Sequence, residues 1–164
     1  MASLPSGLQS FAGTLFDVRG VVQLADTKGA SERFPKEVRN IAINRTCRRL
    51  LFLHATAIKN DIRDHDEVSQ YVIHYADQRT QTVTNLYGRD LRSWWTSPHE
   101  PLNASKAVLV WMGTNRQAEY GDAESIRMFK STWENPWPDV EITSIDFLSC
   151  GKGVGPFLVA LTVD

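Results

Sequence analysis

The chain has little cysteine, little net charge and no long apolar run, and each shortage excludes a class of protein. Two cysteines in 164 residues, Cys47 and Cys150, are too few for a disulfide framework. They lack the CxxC spacing that zinc or dithiol redox chemistry uses. Two free, partly buried thiols are expected, with one bridge between distant strands left open. Basic and acidic residues nearly cancel, 18 against 19, for a formal charge of −1. Without a basic surplus, nothing points to nucleic acid or to an anionic membrane surface. The local group Arg45, Arg48 and Arg49 reads as a solvated strand edge. No apolar run approaches the ~18 residues of a membrane span. The start, Met1-Ala2-Ser3-Leu4-Pro5, has no charged stretch followed by an apolar one, so no signal peptide is expected. A segment of a longer secreted or surface protein would look the same, so the compartment stays open. No segment carries a sustained 3.6-residue apolar period.

What is present is strand. A length of 164 residues with ordinary apolar and charged fractions suits one soluble domain, residues 13–164, with 1–12 as a lead-in. Phe16 to Leu24 alternates with period 2, the mark of a half-buried strand. Val38 to Ile43 and Leu50 to Ile58 follow. The second is apolar on both faces and reads as a central strand. Ser69 to Ala76, a turn at Asp77-Gln78-Arg79-Thr80 and Gln81 to Tyr87 form a hairpin. Ala107 to Gly113 and Ile126 to Trp133 are further strands, separated by the polar stretch Asn115 to Ser125.

Val140 and Ile142 are out of phase with Ile145 and Phe147, which predicts a bulge near Thr143-Ser144. The Gly-rich turn Gly151 to Gly155 is expected to join the last two strands as a hairpin. A short helix over Ser31 to Arg39 is weakened by Pro35. About nine short strands with regular turns make an all-β, antiparallel β-sandwich of jelly-roll type. Its expected core is Phe16, Val18, Val22, Leu51, Leu53, Ile73, Tyr75, Trp111, Ile145, Phe147, Phe157, Val159 and Leu161.

Several stretches together resemble a family: Phe16 to Leu24, Cys47-Arg48-Arg49 running into Leu50 to Thr56, Tyr71 to Asp77, Tyr87-Gly88-Arg89-Asp90 with Trp94-Trp95, and Ser131 to Pro136 through Val163. In this order, over nearly the whole chain, they look like an uncharacterised bacterial β-sandwich module of the galactose-binding-domain-like, carbohydrate-binding-module-like kind. The resemblance implies a jelly roll whose loops or concave sheet face bind sugars. Many such modules hold a structural calcium. No calcium-ligand motif can be matched residue by residue here, so no cofactor is expected and a structural calcium is left open.

The candidate chemistry is aromatic. Tyr87, Trp94, Trp95, Trp133 and Trp137 offer flat apolar faces for a pyranose ring. Arg89, Asp90, Glu134 and Asn135 beside them could bond its hydroxyls. The segments Tyr87 to Trp95 and Trp133 to Trp137 are expected to lie together as the rim of one ligand site. The competing explanation is that these rings only pack loops.

Other groupings carry less. His54 and His74, with Asp17 or Asp146, could in principle face one another as a metal or acid–base pair. Asp61, Asp64, Asp66 and Glu67 offer oxygens without the glycine or spacing of a calcium loop. Gly151-Lys152-Gly153-Val154-Gly155 lacks the pattern of a phosphate-binding loop. Glu134, Asp139 and Glu141 are carboxylates without a glycosidase signature. The expected function is a non-catalytic binding module, with carbohydrate as the partner. A protein-interaction or structural domain and a small sugar-active enzyme are the alternatives.

Overall fold

The computed structural model describes residues 4–25, 33–58, 62–115, 125–151 and 153–164. Among these there is no helix, and strand dominates. β1 (Gly7–Phe11) and β2 (Thr14–Val18) pair as a hairpin of their own. The stretch expected as a lead-in thus supplies a paired strand, and Phe11 at its end is buried. β3 (Val22–Gln23) is a two-residue strand separated from β2, so Phe16 to Leu24 is broken rather than continuous. β4 (Glu37–Arg45), β5 (Arg49–Ile58), β6 (Glu67–Tyr75), β7 (Thr80–Leu86), β8 (Val108–Gly113), β9 (Ile126–Glu134), β10 (Ile142–Ser149) and β11 (Val154–Val163) complete the order.

Two antiparallel sheets face one another in a sandwich-like arrangement. One has the order β4-β10-β6-β7, the other β3-β11-β5-β9-β8. β5 lies at the centre of the second sheet, as its two apolar faces require. Leu50 and Phe52 point into the layer between the sheets, against Tyr71, Ile73, Ile145 and Phe147. Tyr71 stacks on Phe52 at 4.1 Å between ring centres and on Phe147 at 5.0 Å. Leu51, Leu53 and Ala55 alternate with them and join a second core with Phe11, Phe16 and Val18 of the hairpin. The five-stranded sheet is therefore covered on both faces. Polar contacts tie the hairpin down: Lys130 Nζ donates to the Ala12 carbonyl at 2.8 Å, and Thr162 Oγ1 to the Leu15 carbonyl at 2.7 Å.

The bulge expected near Thr143-Ser144 is present, as a register shift between Ile142 and Ser144 against both neighbours. The hairpin expected across Gly151 to Gly155 is not. β10 already has β4 on one edge and β6 on the other, so no edge is left for β11. The chain crosses instead to the other sheet, with Gly151 and Gly153 in the left-handed region at φ 76° and 78°. The helix expected over Ser31 to Arg39 is also absent where the chain is described. The Pro35 carbonyl accepts from Ala25 N at 2.7 Å, and Glu37 already begins β4. Ser31 and Glu32 lie outside the described residues.

Ten of the thirteen expected core residues are buried. Val22, Trp111 and Leu161 are half-buried. Val22 and Trp111 lie on edge strands, which have a neighbour on one side only. Leu161 follows a register shift in β11 between Leu158 and Ala160. The extra residue leaves both Val159 and Ala160 in the hairpin-side core and moves Leu161 to the rim of the inter-sheet layer.

Ile73 is fully buried between the sheets. Ile73→Ala is expected to destabilise the fold by about 2–5 kcal/mol, transfer and cavity terms together. Val22→Ala, on a two-residue edge strand, should cost clearly less. Urea unfolding midpoints at constant m-value measure both.

Candidate functional site

The segment from Tyr87 to Ala107 leaves β7 and folds over one end of the five-stranded sheet. Its first turn is built by Arg89 and Asp90. The Asp90 carboxylate accepts from Leu86 N at 2.8 Å and from Arg89 Nε at 2.8 Å, and Arg89 Nη2 reaches the Thr84 carbonyl at 3.0 Å. Both side chains are thus engaged in shaping the turn. Gly88, at φ 74°, is required here. A Cβ on it would collide with the Asp64 carboxylate, which lies against the turn because Arg92 draws it in.

Beyond the turn runs a network of charge built on two buried arginines. Arg92 forks onto Asp64, Nη1 to Oδ1 at 3.0 Å and Nη2 to Oδ2 at 2.9 Å, and lies 3.5 Å from Glu100. Arg127, in β9, is 0% exposed. Its Nε donates to the Ser93 carbonyl at 2.8 Å, and its Nη1 to the carbonyls of Pro101 and Leu102, each at 2.8 Å. Its Nη2 donates to Glu100 Oε2 at 2.7 Å. The Tyr87 hydroxyl donates to the other Glu100 oxygen and accepts from Ser93 N at 3.2 Å. Burial, and then the bond to Glu100, push this phenol far above its ordinary range. Burial pulls Arg127 down despite Glu100, but a guanidinium stays protonated in a protein.

This scaffold positions Trp94 and Trp95. Trp94 is buried and meets Phe157 edge-on at 5.2 Å and Trp111 at 6.2 Å. Trp95 is half-buried and perpendicular to Trp94. Two depressions share the Trp95 ring. One, of about 300 Å³, is lined by Trp94, Trp95 and Phe157 with the polar side chains of Gln23 and Asn115. The other, about 470 Å³ and more open, is lined by Asp64, Tyr87, Arg92, Trp95, His99 and Glu100.

The second aromatic segment is elsewhere. Trp95 bridges to Ile126 at the start of β9, whereas Trp133 and Glu134 sit at its far end, opposite Leu50 and Arg49. The expected single rim joining both segments is not formed, because β9 runs its full length between them. Asn135 is buried and spent: it accepts from Tyr75 Oη at 2.6 Å and from Trp137 N at 3.0 Å. It donates to the Cys47 carbonyl at 2.8 Å and to the Trp137 carbonyl at 3.2 Å. Trp137 meets Tyr75 edge-on at 5.3 Å, with the Arg79 guanidinium 4.9 Å from its ring centre. Trp133 packs on the inter-sheet core, and Glu134 is exposed.

The histidines do not face each other. His54 lies in the protein interior, and its Nε2 can only donate to the Asp90 carbonyl, at 3.1 Å. Its Nδ1 therefore accepts from Tyr71 Oη, at 3.1 Å. Burial lowers its pKa to about 4. His74 belongs to the other sheet and donates to Asp146 Oδ2 at 2.9 Å. Asp146 also accepts from Asn40 N, in the left-handed region at φ 58°.

Cys47 is a free thiol, and burial raises its pKa. In the acidic loop, Asp64 turns to Arg92 while Asp66 caps its own turn at Arg63 N, at 2.9 Å. Asp61 lies outside the described residues. No three His, Cys, Asp or Glu among the described residues are grouped to hold a metal ion. Among them, too, no helix is long and apolar enough to cross a membrane.

Sequence reasoning missed Arg127, Glu100 and Arg92, and it read Asp64 as an oxygen of an acidic loop rather than as the partner of Arg92. One signal was available: a charge inside the apolar run Ile126-Arg127-Met128-Phe129 implies a buried partner. Compared with protein-family models, curated proteins and solved structures, the chain matches none.

Two outcomes follow from this geometry. Arg127→Met should destabilise the fold by about 3–5 kcal/mol, because it strands the Glu100 carboxylate and three carbonyls. Arg127→Lys should recover little, since one ammonium cannot reproduce the fork. Denaturant unfolding tests both. His54 has a lower pKa folded than the ~6.5 of an unfolded chain, so the unfolded state binds the extra proton between the two values. Its contribution is complete above pH ~6.5 and is lost as pH falls toward ~4, on the order of 3 kcal/mol in all. In His54→Gln that part of the stability–pH curve should flatten.

Proposed function

We propose that the chain is a jelly-roll β-sandwich of the galactose-binding-domain-like kind and serves as a non-catalytic carbohydrate-binding module. Its ligand site is the depression walled by Trp94, Trp95 and Phe157. One observation carries the reading. Trp95 is held half-buried by an ionic scaffold whose arginines are buried, beside the side chain of Gln23. A fixed aromatic wall with the Gln23 amide beside it suits a pyranose, which presents C–H groups on its faces and hydroxyls at its edges. The volume, about 300 Å³, is at the small end of ligand sites. Preorganisation of the wall lowers the ordering cost of binding.

Of the residues singled out in the sequence, Trp94 and Trp95 form this wall and Tyr87 lines the adjoining cleft. Arg89 and Asp90 support the turn that leads to it. Trp133, Glu134, Asn135 and Trp137 belong to the opposite end. A sugar-active enzyme would need carboxylates free to transfer protons or attack. The two in the cleft, Asp64 and Glu100, are each ion-paired to arginine, which favours the non-catalytic reading. A protein-interaction role has its own support in edge strand β8, where Val108 and Met112 are exposed.

A glycan array on the intact chain, followed by calorimetry on Trp95→Ala, separates these readings. The expected result is binding of at least one glycan, abolished by Trp95→Ala with little change in unfolding midpoint. If no glycan binds the intact chain, the carbohydrate reading fails and the β8 edge becomes the surface to test.

A further inference from the structure

The ionic cleft beside the aromatic pocket is more than scaffold. Both depressions are walled by Trp95, so a ligand seated on that indole is bounded on one side by the aromatic pocket and on the other by the cleft. The polar groups of the cleft are sorted by depth. The guanidiniums lie beneath: Arg92 is 5% exposed and Arg127 not at all, while Asp64 is 53% exposed. Each Asp64 oxygen accepts one bond from Arg92. A carboxylate oxygen has a second lone pair, so both oxygens retain acceptor capacity. Glu100, less exposed, borders the same cleft, and His99 lies exposed on it. Two arginines against two carboxylates leave no net charge.

Resting on the carbohydrate reading above, we infer that the site has two subsites meeting at Trp95 and takes a neutral oligosaccharide of at least two units. The first unit packs against the tryptophan wall. The second places hydroxyl donors on the arginine-held oxygens of Asp64 and Glu100. An acceptor-rich mouth selects ligands that donate. A uronate would set a carboxylate against acceptors. A free amino sugar would gain Asp64 but lie over two guanidiniums. A neutral diol meets neither penalty, and the arginines underneath strengthen the arrangement by fixing the carboxylate geometry.

Calorimetric titration of the intact chain tests this, with gluco-, galacto-, manno-, xylo- and N-acetylchito-oligosaccharides of one to six units. Oligogalacturonate and chitosan oligomers serve as charged probes. The expected result is a gain of about tenfold or more in affinity between one unit and two or three, with the neutral series preferred. Asp64→Asn, which keeps one acceptor for Arg92, should lower affinity for two or three units about tenfold more than it lowers affinity for one. Trp95→Ala should remove both.

A neutral sugar that binds equally well as one unit or as several would overturn the two-subsite inference while leaving the carbohydrate reading intact. So would a preference for the charged probes, or an Asp64 variant that weakens one unit as much as three. Failure of every glycan to bind would take down the carbohydrate reading itself, and this inference with it.

Discussion

The guanidinium of Arg127 enters the protein at the start of β9, where an apolar side chain would be the ordinary choice. Removing a charge of this size from water costs several kcal/mol. Here it is offset because the fork finds the carbonyls of Ser93, Pro101 and Leu102 and the carboxylate of Glu100. These acceptors are dispersed over ten residues of irregular backbone that would otherwise have no common partner. Arg127 thus supplies the satisfaction that a strand ladder gives elsewhere. It also sets where Trp94 and Trp95 stand, since both lie inside the segment that it gathers. Glu100 passes the constraint on to Tyr87 and Arg92, and Arg92 to Asp64 and the Asn103 carbonyl.

The two ends of the molecule use aromatic residues differently. At the Trp95 end, rings wall a depression, and the polar groups behind them are ionic. At the Trp137 end, a single amide does the gathering. Asn135 closes four bonds among Tyr75, Cys47 and Trp137, and its own backbone N donates to the Arg48 carbonyl at 2.8 Å. That use of every side-chain donor and acceptor leaves the Asn135 amide nothing to offer a ligand. The Trp133 to Trp137 segment reads as a lock on the strand ends that it joins. The aromatic density that looked alike in both segments of sequence serves two purposes, and only the partners of the neighbouring polar residues tell them apart.

Much of the fold was legible because period-2 patterning reports burial directly. Leu50 to Ile58, apolar on both faces, could only be a strand covered on both sides, and β5 is one. The phase slip after Ile142 marked a real bulge. The misreadings share a cause: alternation says which face is buried but not which edge is occupied. Nothing local to Gly151 tells that β4 and β6 have already taken both edges of β10. For the same reason the sequence could not tell that β9 holds its two tryptophan segments at opposite ends. Within the site, Trp94 and Trp95 stood out by residue type. Glu100 did not, because one carboxylate in a proline-flanked loop looks like a solvated one until Arg127 is placed beneath it.

The position of β11 also bears on how the chain reaches this state. β11 lies inside the five-stranded sheet, with Val163 opposite Leu50 and Val154 opposite Ile58. It separates β3 from β5, although β5 was made about a hundred residues earlier. Until β11 docks, β5 lacks a partner along one whole edge, and Leu158 is missing from the inter-sheet layer. Loops this long must close before any of that pairing yields free energy. The chain is thus built for slow, late consolidation, with an apolar central strand waiting open-edged until the final segment arrives. That interval, more than any weakness of the finished fold, is when aggregation competes with folding.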